Sequence, residues 1–372
     1  MHTARNILAL ITCTGMLAAA PFSSFFTVQG DAGYTTDIFC DASRIADGFT
    51  QLAAFSGFNW RLADGVINRT RIDAAYMFYF QNSWANNLAA DASTILELHP
   101  ADSVTLTAAG GAKVFFDALS PTLPRYTTND NMSGTGSGSV EFDIGDTASL
   151  FLSYDYRATA YWNYDLDSGR QIAWLGVRWH AGLFSAFELR AGYERADYPE
   201  LHTLRRVGTA ISNDTALRAD NAGLLAFSFT YEEDTHFSMT INNEAIYRDS
   251  NGDLVITNNN TLDDEYYRET RNRLSIGIDI TPQEGTKISI DARDTISFFP
   301  QRNALSALYA VTGSHVWKNY LDAGITLDQD LFRNENTGLS FSIGALYFRS
   351  DANDYFECFD GFDIRLTLKF WL

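Results

Sequence analysis

Charged residues recur at every second position in segments whose alternate positions are apolar. Asp155 and Arg157, Glu188, Arg190 and Glu194, Asp291 and Arg293, and Asp363, Arg365 and Lys369 follow this spacing, with Gly192 filling one step. Arg178 and Asp279 stand in similar segments. Successive side chains of a strand point to opposite sides, so this period puts the charges of one segment on one face. Acids and bases facing each other across a water-filled passage create a transverse field. Such a field orders water and favours polar solutes over apolar ones. The alternative is that the charges pair across neighbouring strands and only solvate a wall. Periodicity leaves both readings open.

Other reactive groups are sparse. Cys40 and Cys358 are the cysteines outside the N-terminal segment. With Cys40 at the outer end of a first strand and Cys358 in a last outer loop, closure of a barrel makes them neighbours. An exported compartment is oxidising, so they are a candidate disulfide. Asp249-Ser250-Asn251-Gly252-Asp253 begins like a calcium loop. Its sixth position, Leu254, is not glycine and its twelfth, Asn260, is not Glu, so it reads as a solvated loop. His180, His202, His236 and His315 are scattered, the last beside Ser314, and form no catalytic motif. No glycine-rich phosphate loop or zinc-ligand spacing occurs. The reading therefore calls for no enzyme, no metal and no cofactor.

Elements must position these charges. The chain opens with Met1, His2 and Arg5 and then an apolar run from Ile7 to Ala20. That pattern reads as a secretory signal peptide, expected to span residues 1–30. Pro21 disfavours cleavage after Ala20, so a cut near Gly30 or Ala32 is expected, leaving 31–372 as the mature domain. Later apolar runs are too short for a spanning helix. The whole chain has net charge −19, and removal of the signal leaves 26 − 46 = −20. That excess of acid argues against nucleic acid as a partner.

Alternation then repeats about every twenty residues. Phe362, Ile364, Leu366, Leu368 and Phe370 share one face, and Asp363, Arg365, Thr367, Lys369 and Trp371 the other. Ile72, Ala74, Tyr76, Phe78 and Phe80 form the same stripe earlier. Asn243, Asp294 and Arg349 fall on apolar faces, and Leu346 and Phe348 on a polar one. A bulge or a strand end would account for each. Pro100, Pro121, Pro124, Pro199, Pro282 and Pro300 are expected between strands, since proline has no N–H to donate. Short connections near 63–68, 99–103, 145–147, 182–186, 233–235, 281–286 and 328–336 alternate with longer ones. The longer ones lie near 82–90, 117–133, 160–168, 195–220, 249–268, 300–313 and 350–361. The alternation requires a strand before the one near 48–61, and Tyr34–Cys40 is the candidate.

The fold class expected is all-β: a transmembrane antiparallel up-and-down β-barrel of about sixteen strands. Fourteen is the alternative if 31–47 is a tail and a segment such as 91–98 is not a strand. In lipid every backbone polar group must be bonded internally, so the sheet must close. About sixteen strands enclose an aqueous channel.

In strand number, loop alternation and the aromatic end Phe370-Trp371-Leu372, the chain resembles porin-type outer-membrane proteins of a Gram-negative-type cell envelope. The resemblance is architectural and covers the mature chain. It implies passive diffusion of small hydrophilic solutes or ions, outer-membrane lipid and the barrel assembly machinery as partners, and a homo-oligomer, a trimer by analogy. It also implies that a long loop narrows the lumen, with 117–133 the candidate; an ordinary surface loop is the other reading of that segment. A surface protein binding through its outer loops is the second reading, and an outer-membrane enzyme the third.

Overall fold

The computed structural model describes residues 22–37, 45–82, 85–116, 130–162, 167–207, 210–233, 236–251, 254–256, 261–263, 267–307, 310–334 and 337–372. Residues 1–21, Cys40, Pro121, Pro124 and most of the connection near 117–133 lie outside these residues.

The described residues form eighteen strands. They are β1 (Phe22–Thr35), β2 (Asp47–Ala63), β3 (Val66–Tyr79), β4 (Asn87–Ala101), β5 (Val104–Phe116) and β6 (Asn131–Ile144). There follow β7 (Ala148–Tyr161), β8 (Ser168–His180), β9 (Ser185–Val207), β10 (Ala210–Glu233), β11 (Phe237–Ser250), β12 (Leu254–Ile256) and β13 (Thr261–Asp263). The last are β14 (Glu269–Gln283), β15 (Thr286–Leu305), β16 (Val311–Arg333), β17 (Gly338–Ala352) and β18 (Phe359–Trp371). All but the small β12–β13 hairpin form one closed antiparallel ring of sixteen, in which β1 pairs with β18. Closure removes the edge strands that an open sheet would leave unpaired.

Alternation follows from strand geometry, and exposure confirms which side each stripe takes. Phe362, Ile364, Leu366, Leu368 and Phe370 lie exposed on the outside of the ring. Arg365, Thr367, Lys369 and Trp371 line a hollow inside it. Outward aromatics gather towards both ends. Trp179 and Phe187 stack at 5.1 Å near the short turns, and Phe116 and Trp162 at 5.3 Å near the long connections. Tight turns at the first end use left-handed glycines, including Gly145 (φ 65°) and Gly285 (φ 79°).

The structure corrects four expectations. The first strand is Phe22–Thr35, not Tyr34–Cys40, and residues 22–30, assigned above to the signal, pair along β2. Its outward stripe (Phe22, Phe26, Val28 and Tyr34) follows directly on the apolar run that ends at Ala20, which hides the alternation. Segments 195–220 and 300–313 are mostly strand, because β9–β10 and β15–β16 extend their ladders past their neighbours.

Four prolines lie within strands, not between them. Each falls where the ladder shifts register, so no donor is needed there. Pro100 sits between the pairs of Leu98 and Ala101, Pro282 between those of Ile280 and Gln283, and Pro300 between those of Phe299 and Asn303. Pro199 lies beside the break between Leu217 and Ala219. The fourth correction concerns Asn243 and Asp294, which sit in unbroken ladder near the middle of β11 and β15. Neither a bulge nor a strand end explains them. Arg349 does lie near the end of β17 and pairs with Asp351 at 2.8 Å.

Candidate functional site in the barrel interior

Inward positions are set by the parity of each strand. Asp155 and Arg157 (β7), Arg178 (β8), Glu188, Arg190 and Glu194 (β9), and Asp279 (β14) share the inward face. So do Asp291 and Arg293 (β15), and Asp363, Arg365 and Lys369 (β18). The sheet register groups them into separate clusters.

The first cluster spans β6 to β9. Arg178 lies directly opposite Glu188 and donates to it at 2.9 Å, and to Glu141 at 2.9 Å. Its guanidinium sits 5.7 Å from the Phe151 ring. Arg190 lies 3.8 Å from Glu188 and 4.5 Å from the Trp174 ring. Trp174 reaches this position because Gly192 is bare. A Cβ there would come within 2.5 Å of the indole.

The second cluster is a belt nearer the long connections. Glu194, 2% exposed, accepts from Arg170 and, at 3.2 Å, from Arg248. Arg248 also donates to Glu269 at 3.1 Å, and Ser297 Oγ donates to the same carboxylate at 3.0 Å. Glu194 and Arg248 are not on adjacent strands. The inward residue between them on β10 is Ala222, which lies opposite both. Its methyl is small enough for Arg248 to reach across. Beside the belt, Arg218 pairs with Asp220 at 2.8 Å and stacks on Tyr198 and Tyr267, 4.2 and 3.4 Å from their centroids.

A third group faces the hollow along β14 to β18 and β1, a volume of about 1080 Å³. Asp291, Asp328, Asp363, Arg365 and Lys369 share its wall with hydroxyls of Thr27, Thr326, Ser340, Ser342 and Thr367. Arg293 donates to Asp322 at 2.7 Å at its margin. A smaller hollow of about 200 Å³ lies between Arg190 and Arg273, over Ala226 and Ser228. Arg273 and Glu244 are directly opposite there, yet no ion pair joins them among the described residues.

Arg157 shows the limit of reasoning from spacing. Its cross-strand partner is Arg170, a like charge. The inward residues missed by the sequence reading are chiefly Glu141, Arg170, Arg248, Glu269 and Arg271. The parity already assigned to Asp279 extends back through Ser275 to Arg273 and Arg271, so that signal was available. The reach of Arg248 over Ala222 had no local signal.

Other candidates fall outside the interior clusters. Cys358 lies in the connection before β18, its Sγ donating to Ala352 O at 3.1 Å, while Cys40 is outside the described residues. Asp249 is held by Arg268 at 2.5 Å, and Asn251 Oδ1 accepts from Ala219 N at 2.7 Å. These are structural contacts. His202 and His236 each meet a backbone carbonyl at 3.0 Å, of Asp214 and Thr281.

Comparison with solved structures finds barrels. A loop-deletion mutant of OmpT, an outer membrane protein of Vibrio cholerae, aligns over 95% of this chain and 100% of its own, at TM-score 0.47 and 10% identity. Pseudomonas aeruginosa OccK2 (OpdF) aligns over 95% and 98%, at TM-score 0.49 and 11% identity. CdiB from Acinetobacter baumannii aligns over 93% of this chain and 60% of its own, at TM-score 0.49 and 10% identity. No protein-family model and no curated protein matches the sequence. The architecture itself, a closed sixteen-stranded antiparallel ring, is porin-like.

Proposed function

We propose that this protein is an outer-membrane channel through which small hydrophilic solutes or ions diffuse passively. One observation carries the reading. The outer face of a closed ring is aliphatic and aromatic, while its inner face carries arginine, lysine, aspartate and glutamate around a hollow of about 1080 Å³. Charges so placed would be costly to bury dry. A wet interior inside a hydrocarbon-facing wall satisfies both faces. The surroundings are then outer-membrane lipid, reached after export and insertion by the barrel assembly machinery.

Planar-bilayer recording of the purified chain tests this. Discrete, stable conductance steps that persist at low voltage are expected. A chain that inserts, as judged by protease protection, but passes no current would overturn the channel.

The extended β9–β10 hairpin favours one other reading, a surface that binds an external partner. Pull-down with the isolated barrel and a variant shortened across 198–217 separates the two, since shortening should leave conductance intact.

A further inference from the structure

Asn243, Asn272, Asp294 and Asn319 occupy outward positions on four consecutive strands of the ring, β11, β14, β15 and β16. Their registers interlock. Asn243 faces Leu274, which faces Asp294, and Asn272 faces Ile296, which faces Asn319. Each polar residue is therefore diagonal to the next, and the four form one continuous zigzag. Exposed apolar side chains surround it, among them Leu274, Ile296, Phe298 and Leu321.

The strip is incompletely satisfied. Asn243 and Asn272 exchange amide hydrogen bonds of 3.1 and 3.3 Å. Asp294 Oδ1 and Asn319 Oδ1 are buried beneath their neighbours with no hydrogen-bond partner among the described residues. Both residues are half-buried, so the rest of each polar group stays at the outer surface, where hydrocarbon offers no partner. A carboxylate facing lipid is disfavoured wherever it sits in the apolar band.

We propose that this strip is the contact surface for a second copy of this chain, related by a two-fold axis parallel to the barrel axis. The strip carries both halves of a hydrogen bond, the Asn319 amide as donor and the Asp294 carboxylate as acceptor. A two-fold contact uses the same patch on both subunits, so such a patch meets itself twice. The flanking outward residues Ala245, Ala292 and Ala323 are small and let two walls approach. Beside Asn272 the wall is also hollowed by about 570 Å³, floored by Gly223 and Ala245 and bordered by Tyr247 and Phe298. That concavity gives a side chain of the second copy a seat. The inference rests on the membrane reading proposed above.

The test uses the full chain in mild detergent and in nanodiscs, with mass measured by light scattering. Twice the single-chain mass is expected. N319C should cross-link to itself through a short bis-maleimide in a background where the native cysteines are Ser, whereas L152C, outward on β7, should not. N319D, which sets a second carboxylate against Asp294, should halve the mass while the unheated gel mobility of a folded barrel is retained.

Wild-type chain at single-chain mass would overturn the proposal. So would cross-linking at L152C but not N319C, retention of the doubled mass by N319D, or a ring of three or more copies. If the chain instead stayed monodisperse without detergent, the membrane reading itself would fail. That outcome is distinct from a detergent-dependent monomer.

Discussion

Phe26, on the first strand, and Leu372, just past the last, exchange two backbone hydrogen bonds, Phe26 N to Leu372 O at 3.0 Å and Leu372 N to Phe26 O at 2.9 Å. These close the ring at its short-turn end. From there β1 and β18 stay in register to Thr35 and Asp363. The seam therefore joins two strands far apart in sequence.

Removal of an N-terminal segment should leave β1 intact. The mature N-terminus is expected at or before Phe22, because later cleavage would strip the partners of Trp60 through Leu52 on β2. Intact mass of the exported protein gives the position. A start at residue 31 would show that the ring closes without the first half of β1. Deleting Trp371 and Leu372 should likewise slow closure, seen as loss of the compact unheated band on gels.

The lumen arginines differ in how fully they are paired, and so should their variants. R273Q and R190Q should move the reversal potential towards cation selectivity. A unit charge acts on an ion 4 Å away with about 1 kcal/mol in water. Removing one should thus change local ion preference by roughly fivefold before screening. Unchanged reversal potentials in both would take these residues off the conduction path.

Arg178 should behave differently, since Glu141 and Glu188 share it. R178Q leaves two carboxylates facing each other. The Arg178 side chain is 38% exposed, so the cost is expected at about 1 kcal/mol. Urea unfolding in detergent should report this as a lower midpoint with an unchanged slope.

Ala222 allows the bridge from Glu194 to Arg248. A222L should crowd a site that is 2% exposed and push the guanidinium away from Glu194, at roughly 1–3 kcal/mol. A222G should keep the bridge. Equal stability of A222L and wild type in the same unfolding assay would mean that the bridge is not sterically gated.

Acid should loosen the last long connection. Glu357, in a short 3₁₀ turn (Tyr355–Glu357), pairs with Arg302 at 2.7 Å and Lys318 at 3.1 Å. Burial pushes its pKa up, but Lys318 and Arg302 outweigh burial and hold it below the ordinary 4.5. A depressed carboxyl contributes stability that is full above about pH 4.5 and is lost as pH falls through the folded value. Protease nicking within 353–358 should rise over that window in wild type. E357Q should be nicked readily at neutral pH with little further change on acidification.

Local stereochemistry made much of this protein legible in one dimension. Alternate residues of a strand face opposite ways, so the stripe Phe362 to Phe370 declared its outward side, and its neighbours Asp363, Arg365 and Lys369 their inward side. The rhythm of turns and longer connections carried the strand number, because a short turn can only join antiparallel neighbours. What tertiary structure decided depends on stagger between strands, which no local pattern encodes. Stagger joins Phe26 to Leu372, sets Arg157 against Arg170 rather than an acid, and lets Arg248 reach Glu194 over Ala222. It also lets ladders run through Pro199 and Pro300, by shifting register where a donor is missing. Asn243 and Asp294 look like isolated faults along the chain. Only the register brings them into one strip, since diagonal neighbours on a sheet are distant in sequence.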